Sequence, residues 1–134
     1  MNHRDIRSIL IIDDDESVAG GLKKLLLWNG FAVHTAINGK AGLDFLAVEQ
    51  VDLVITDIFM EEMEGLETIL AVKRQYPGIF VIAMSGGSRI VGRDFLDMAE
   101  AIGADKVLRK PIVIQSLLEV IKELKSGAAR SSSC

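Results

Sequence analysis

The chain has a single cysteine, Cys134 at its extreme C-terminus, so it can form neither an intrachain disulfide nor a cysteine-based zinc site. That scarcity fits a reducing, cytoplasmic setting. No apolar run approaches the ~18 residues needed to span a bilayer; the hydrophobic residues come in short bursts such as Ile9 to Ile12. The N-terminus lacks the long apolar stretch and small-residue cleavage site of a signal peptide. Basic charge is also in short supply: 15 Lys and Arg stand against 19 Asp and Glu, a net charge of −4, which argues against a nucleic-acid partner held by phosphate neutralisation. Of the two histidines, His3 and His34, neither is paired with a neighbouring metal ligand. No Gly-x-Gly-x-x-Gly follows the first apolar burst and no P-loop occurs, so nucleotide binding has no support.

The chain does have enough apolar residues for one core: 49% of its 134 residues are hydrophobic, the size of one compact domain. Five bursts, Ile9 to Ile12, Phe31 to Val33, Leu53 to Ile55, Phe80 to Ala83 and Val107-Leu108, read as strands buried on both faces. Helical spacing fills the intervals. Val18, Leu22, Leu25 and Leu26 stripe a helix from Glu16 to Trp28, closed by Asn29-Gly30. Ala41, Phe45 and Leu46 follow Asn38-Gly39, and Leu66, Ile69, Leu70 and Lys73 run up to Pro77-Gly78. Phe95, Leu96, Ala99 and Ile102 make a fourth stripe, and Ile114, Leu117, Leu118, Ile121 and Leu124 a fifth. This alternation predicts an α/β fold, a doubly wound five-stranded parallel sheet with five helices. Residues 1–125 form the domain; the small, polar segment 126–134 is expected to be a disordered tail.

In such sheets ligands gather beyond the carboxyl ends of the strands. There the sequence places Asp13, Asp14, Asp15 and Glu16 after the first burst, Asp57 after the third, Ser85-Gly86-Gly87 after the fourth and Lys110-Pro111 after the fifth. Converging carboxylates repel one another and must recruit a cation or take up protons. Magnesium, which takes one or two protein carboxylates and keeps several waters, suits an acidic site that is not a cage. Lys110 adds a point charge for phosphate oxygens, and Ser85 a neutral donor. The acidity is local: residues 1–84 carry a balance of −6 and residues 85–134 of +2, and eight of the 19 acids lie within 13–16 and 57–64.

In order and spacing these pieces resemble the receiver domains of two-component response regulators, the single-domain chemotaxis type in particular, from Ser8 to about Lys125. The matching segments run from Ile9 to Val18, from Asp52 to Asp57 with Gly65 eight residues on, from Ile82 to Gly86, and from Gly103 to Asp105 with Lys110-Pro111 beyond. The resemblance implies a flavodoxin-like sheet of order 2-1-3-4-5. It implies that Asp57 is the phosphoacceptor, and that Asp13, Asp14, Asp57 and the backbone carbonyl of Phe59 hold Mg2+. Ser85 takes the place of the mobile hydroxyl residue, and Lys110, before a peptide that is often cis, contacts the acyl phosphate. The implied partners are a histidine kinase or phosphotransfer protein and a downstream protein target, with phosphorylation-dependent homodimerisation left open and with no nucleic acid or membrane. Such a domain phosphorylates and dephosphorylates itself and is not a turnover enzyme.

Simpler roles compete for some residues. Asp15 and Glu16 suit a helix N-terminus, with Asp15 as cap. Ala83 to Gly87 approaches a nucleophile elbow, but both histidines precede Ser85, so the hydrolase order of Ser, acid, His is excluded. Asp13-x-Asp15-x-Ser17 also resembles the first motif of haloacid-dehalogenase-type phosphatases, in which Asp13 would be the nucleophile. A later acidic pair at a strand end is then missing, since Glu119 and Glu123 fall on a helix. A pseudo-receiver that binds without being phosphorylated, or the receiver half of a longer protein, are further alternatives. Two departures stand out: Glu61 where the family commonly has proline, and Val107 where it usually has Tyr or Phe. With Val107, and with a Ser85 to Lys110 interval about three residues longer than the family pattern, output is expected to rely on backbone shifts around 85–93, where Arg89 and Arg93 could face a partner.

Overall fold

The structure is a computed structural model, and it describes residues 5–58, 65–85 and 100–126. Five strands, β1 (Ser8–Ile12), β2 (Ala32–Ala36), β3 (Leu53–Asp57), β4 (Phe80–Ser85) and β5 (Lys106–Arg109), form one sheet in the order β2-β1-β3-β4-β5. Every pairing is parallel. The helices among the described residues are α1 (Glu16–Trp28), α2 (Gly39–Val48), α3 (Gly65–Gln75) and α4 (Ile114–Ser126). The fifth expected helix falls largely outside them: Phe95, Leu96 and Ala99 are not described, while Ile102 lies in the turn that Gly103 ends at φ +128°. The doubly wound sheet is thus as the alternation predicted.

The two faces of the sheet explain why the apolar bursts are continuous. Ile9 and Ile11 point to one side with Ala19, Leu22 and Leu26 of α1 and Leu117, Ile121 and Leu124 of α4. Leu10 and Ile12 point to the other with Leu46 of α2 and Ile69 and Val72 of α3. Side chains alternate across a strand, so a strand covered on both faces must be apolar at every position. All five residues of β3 and all six of β4 are buried.

The edge strands correct the expectation of burial on both faces. In β2 only Val33 and Ala36 are buried, and β5 is half-buried throughout apart from exposed Arg109. An edge strand is flanked on one side only, so its outer side chains reach solvent; exposed His34 lies against Phe45 of α2, ring centroids 4.8 Å apart and tilted by 39°. Leu70, placed in the α3 stripe by spacing, is 40% exposed, and Thr68 and Val72 face the core instead. The stripe is offset because Gly65 and Thr68 bring the helix against the sheet. At the other end of the chain α4 includes Ser126, the first residue of the expected tail, whose hydroxyl donates to the Glu123 carbonyl at 3.0 Å. Residues 127–134 lie outside the described residues. No helix among the described residues is long and apolar enough to cross a membrane.

Helix ends are set by side chains that satisfy otherwise orphaned main-chain groups. Asp15 caps α1, its Oδ1 accepting from the N–H groups of Ser17 (3.0 Å) and Val18 (3.2 Å). Asn38 caps α2 by accepting from Ala41 N–H at 2.7 Å. Gly30, at φ +92°, turns the chain from α1 into β2.

Candidate functional site

Asp13 is the first residue beyond β1, held by its N–H, which donates to the Ala36 carbonyl at 3.0 Å. Asp57 ends β3. Since Ile12 pairs with Thr56, continuing the register by one residue sets the two carboxylates side by side. Both are buried, Asp13 to 1% and Asp57 to 6% exposure. Lys110 follows β5, two strands from Asp57 across the sheet, and its N–H donates to the Ser85 carbonyl at 2.8 Å. Its Nζ donates to Asp13 Oδ2 at 2.8 Å and to Asp57 Oδ2 at 3.0 Å. The sheet topology has therefore brought residues 13 and 57 within hydrogen-bond reach of the Lys110 ammonium group.

Asp14 completes the cluster. It is exposed, and one carboxylate oxygen from each of Asp13, Asp14 and Asp57 lies within 4.8 Å of the others. Among the described residues three carboxylates face one lysine, an excess of acidic over basic groups. Burial works against the charge on Lys110, but its hydrogen bonds to Asp13 and Asp57 and their negative charge outweigh that penalty and hold its pKa above the ordinary 10.5. The donor set is all oxygen, two buried carboxylates fixed by the fold and one at the solvent edge. That is the ligand chemistry of a hard divalent cation that keeps part of its water shell.

A cleft of about 410 Å³ lies beside α1 and the end of β2, lined by Asp13, Glu16, Ala19, Lys23, Thr35 and Ile37 among others, while the Asp13 side chain itself is closed off from solvent. Ser85 ends β4 and is buried, joined to the site through its carbonyl to Lys110. Phe59 lies outside the described residues, as do Glu61, Arg89 and Arg93. Val107 is half-buried and packs against the α2–α3 side of the core. The Lys110-Pro111 peptide is cis, as the resemblance implied.

In the sequence Gly65 stands out only as part of a motif, and the structure supplies its reason. A Cβ there would overlap the Asp57 carbonyl and the backbone of Ile58. The start of α3 thus lies against the strand end that carries Asp57, and Gly65 N–H donates to the Ile58 carbonyl at 2.7 Å. Thr56, fully buried, donates its hydroxyl to the Asp57 carbonyl at 3.1 Å. The place of Gly65 eight residues after Asp57 marks it as part of a motif but does not reveal this contact.

Comparison with known proteins agrees with this geometry. The family model of the response regulator receiver domain matches residues 9–122. Response regulator MprA of Mycolicibacterium vanbaalenii is 29% identical over 120 residues, which cover 87% of this chain and 49% of that protein; the chain spans about half the length of the curated relatives it matches. A CheY-like receiver domain from Methanospirillum hungatei superposes with a TM-score of 0.84 at 28% identity, covering 94% of this chain and 98% of the other. A response regulator from Burkholderia pseudomallei, solved with a phosphorylated aspartic acid, calcium ion and citrate, gives 0.78 at 26% identity over 93% of this chain and 72% of that one. These matches leave the phosphatase alternative, with Asp13 as nucleophile, without support. A buried pair of aspartates bridged by a lysine at the carboxyl edge of a 2-1-3-4-5 sheet, and a family match over that whole sheet, together establish that the chain belongs to the response regulator receiver domains.

Proposed function

We propose that this domain takes a phosphoryl group on Asp57 from a histidine kinase or phosphotransfer protein, with Mg2+, and signals by altered protein contacts. The observation that carries the reading is the bridge from Lys110 Nζ to Asp13 and Asp57, with Asp14 beside it. A carboxylate oxygen of Asp57 attacks the phosphorus of a phosphohistidine; the O–P bond forms as the N–P bond breaks, and the imidazole leaves. Phosphoryl transfer passes through a loose transition state, so positioning and charge neutralisation do most of the work. Lys110 is already at Asp57 Oδ2 and needs only a small displacement to meet a phosphoryl oxygen bound there. Asp13 and Asp14, with Asp57, would hold the metal, the Phe59 carbonyl being the further ligand that the resemblance implies. When bound, Mg2+ supplies positive charge to the phosphoryl oxygens. Ser85, at the end of the strand between Asp57 and Lys110, is the hydroxyl residue expected to approach the phosphoryl group. Water attack on the phosphorus of the acyl phosphate then breaks the O–P bond, releases inorganic phosphate and returns Asp57 to its free carboxylate, making the domain its own timer. The phosphorylated aspartic acid and calcium ion of the Burkholderia pseudomallei response regulator support the same chemistry in a relative.

The test is phosphorylation by a small phosphodonor with and without Mg2+, followed by intact mass. The expected result is a gain of one phosphoryl group that requires Mg2+ and is lost in Asp57→Asn. No gain in the wild type would make this a pseudo-receiver; a gain that survives Asp57→Asn but vanishes in Asp13→Asn would move the nucleophile to Asp13.

A further inference from the structure

We infer that Asp15 is a positioning residue for the cation site, acting through the Asp13 carboxylate rather than as a ligand; this rests on the reading of Asp13 as a metal ligand. Asp13 Oδ1 accepts the N–H of Asp15 at 2.9 Å, while its Oδ2 receives Lys110. Both oxygens of this buried carboxylate are therefore oriented, one by a lysine and one by a main-chain N–H. The N–H is in place because the side chain of the same residue is anchored two and three residues further on, its Oδ1 accepting from Ser17 and Val18 at the start of α1. The loop between β1 and α1 thus carries two consecutive carboxylate-to-backbone links, from Asp13 to Asp15 and from Asp15 to the helix. Asp15 itself is exposed and is absent from the set of carboxylates close enough to share an ion, which is Asp13, Asp14 and Asp57.

A further main-chain bond fixes the same loop: Ala19 N–H donates to the Asp15 carbonyl at 3.0 Å, so the residue is held to α1 by backbone as well as by side chain. That main-chain bond holds the Asp15 carbonyl; losing the side-chain link leaves it as the remaining tie to α1 and loosens the β/extended conformation that Asp15 adopts at the cap, φ −91° and ψ 101°. The N–H that orients Asp13 then samples other directions. Groups that orient a metal ligand typically change affinity by about tenfold or more when lost.

Two substitutions separate this role from a bulk charge effect. Asp15→Asn removes the charge but keeps the side-chain oxygen that accepts from Ser17 and Val18; Asp15→Ala removes both. The measurement is Mg2+ titration followed by backbone amide shifts of residues 13–18 and by calorimetry, with no phosphodonor present. Expected are an Asp15→Asn affinity within about twofold of wild type and an Asp15→Ala affinity weaker by about tenfold, with the amide resonances of Ser17 and Val18, whose N–H groups lose the Asp15 oxygen in Asp15→Ala, displaced in the apo form of that variant and kept near their wild-type positions in Asp15→Asn. Thermal melts of both variants, taken in parallel, show that the domain remains folded at the titration temperature. Equal weakening in the two variants would make Asp15 a charge and not a positioning residue; unchanged affinity in both would leave it a helix cap and nothing more. Absence of Mg2+ binding in the wild type, or binding that survives Asp13→Asn, would overturn the ligand assignment itself and this inference with it.

Discussion

The two ends of the sheet both carry carboxylates, and they treat them in opposite ways. At the amino end Asp52 Oδ2 accepts the N–H groups of Arg7 (2.9 Å) and Ser8 (3.1 Å) and the Ser8 hydroxyl (3.3 Å). Asp105 Oδ2 accepts Val81 N–H at 2.8 Å and Lys73 Nζ at 3.3 Å, and Lys73 also donates to the Ile79 carbonyl at 2.8 Å. Each acid there stands apart from the other and ties segments of chain together. At the carboxyl end Asp13, Asp14 and Asp57 face one another around the single ammonium of Lys110. Partnered acids that stand alone lock a fold, whereas acids crowded together cost stability and persist where chemistry needs them. The same residue type thus has a structural or a functional meaning according to whether its neighbours are donors or other acids.

The sharpest way to break that comparison is to remove one acid from each end. Asp57→Asn is expected to abolish phosphoryl uptake while leaving the urea midpoint no lower than wild type, because it relieves repulsion among the acids. Asp105→Ala removes the counter-charge of a half-buried Lys73 ammonium, leaving it the Ile79 carbonyl, and takes the acceptor from the Val81 N–H, and should lower stability by about 3 kcal/mol with Asp57 still phosphorylated below the transition. Were the folded Asp105→Ala protein unable to take up phosphate, or Asp57→Asn markedly less stable, the division of labour between the two ends would not hold.

A second contrast concerns glycines. Gly65 sits where a Cβ would meet the backbone of residues 57 and 58, which cannot rotate away, so Gly65→Ala should lower stability by about 1–3 kcal/mol and slow phosphorylation by displacing the end of β3. Gly21, on the exposed face of α1, has nothing within 4 Å of the place a methyl group would take, so Gly21→Ala should raise stability by about 1 kcal/mol through helix propensity and leave phosphorylation unchanged. Chemical unfolding and the phosphodonor assay read both variants; a destabilised Gly21→Ala would show that α1 is constrained by something other than its own backbone.

Most of the fold could be read in the order of residues, because a sheet covered on both faces demands continuous apolar strands and the helices between them keep a 3.6 period. The α1 boundaries, from Glu16 after an acidic cap to Trp28 before Asn-Gly, were visible for that reason. Burial on the edges was not: Phe31 to Val33 reads like a central strand, and only the neighbours, which sequence does not show, make β2 an edge. The site was legible as a set of strand-end residues, since topology alone converts ends of distant strands into neighbours. Its finer supports were not. Nothing in a glycine eight residues after Asp57 announces contact with the Asp57 carbonyl, and a cap at Asp15 does not by itself reveal that its N–H holds Asp13.

The smallest effect distinguishes the lysine of the site by pH. A group whose pKa is higher in the folded than in the unfolded state contributes stability in full below its unfolded value and loses it as pH rises through the folded value. For Lys110, raised above 10.5 by Asp13 and Asp57 against the opposing cost of burial, this places the loss at alkaline pH and none of it near neutrality. Lys110→Met lacks that titration. The stability difference between wild type and Lys110→Met, measured by urea unfolding from pH 8 to pH 11.5, should therefore be flat up to about pH 10.5 and shift against the wild type above it. A difference that stays flat to about pH 11.5 would mean that Lys110 holds its proton no more tightly in the folded than in the unfolded chain, and that the bridge to Asp13 and Asp57 does not raise its pKa.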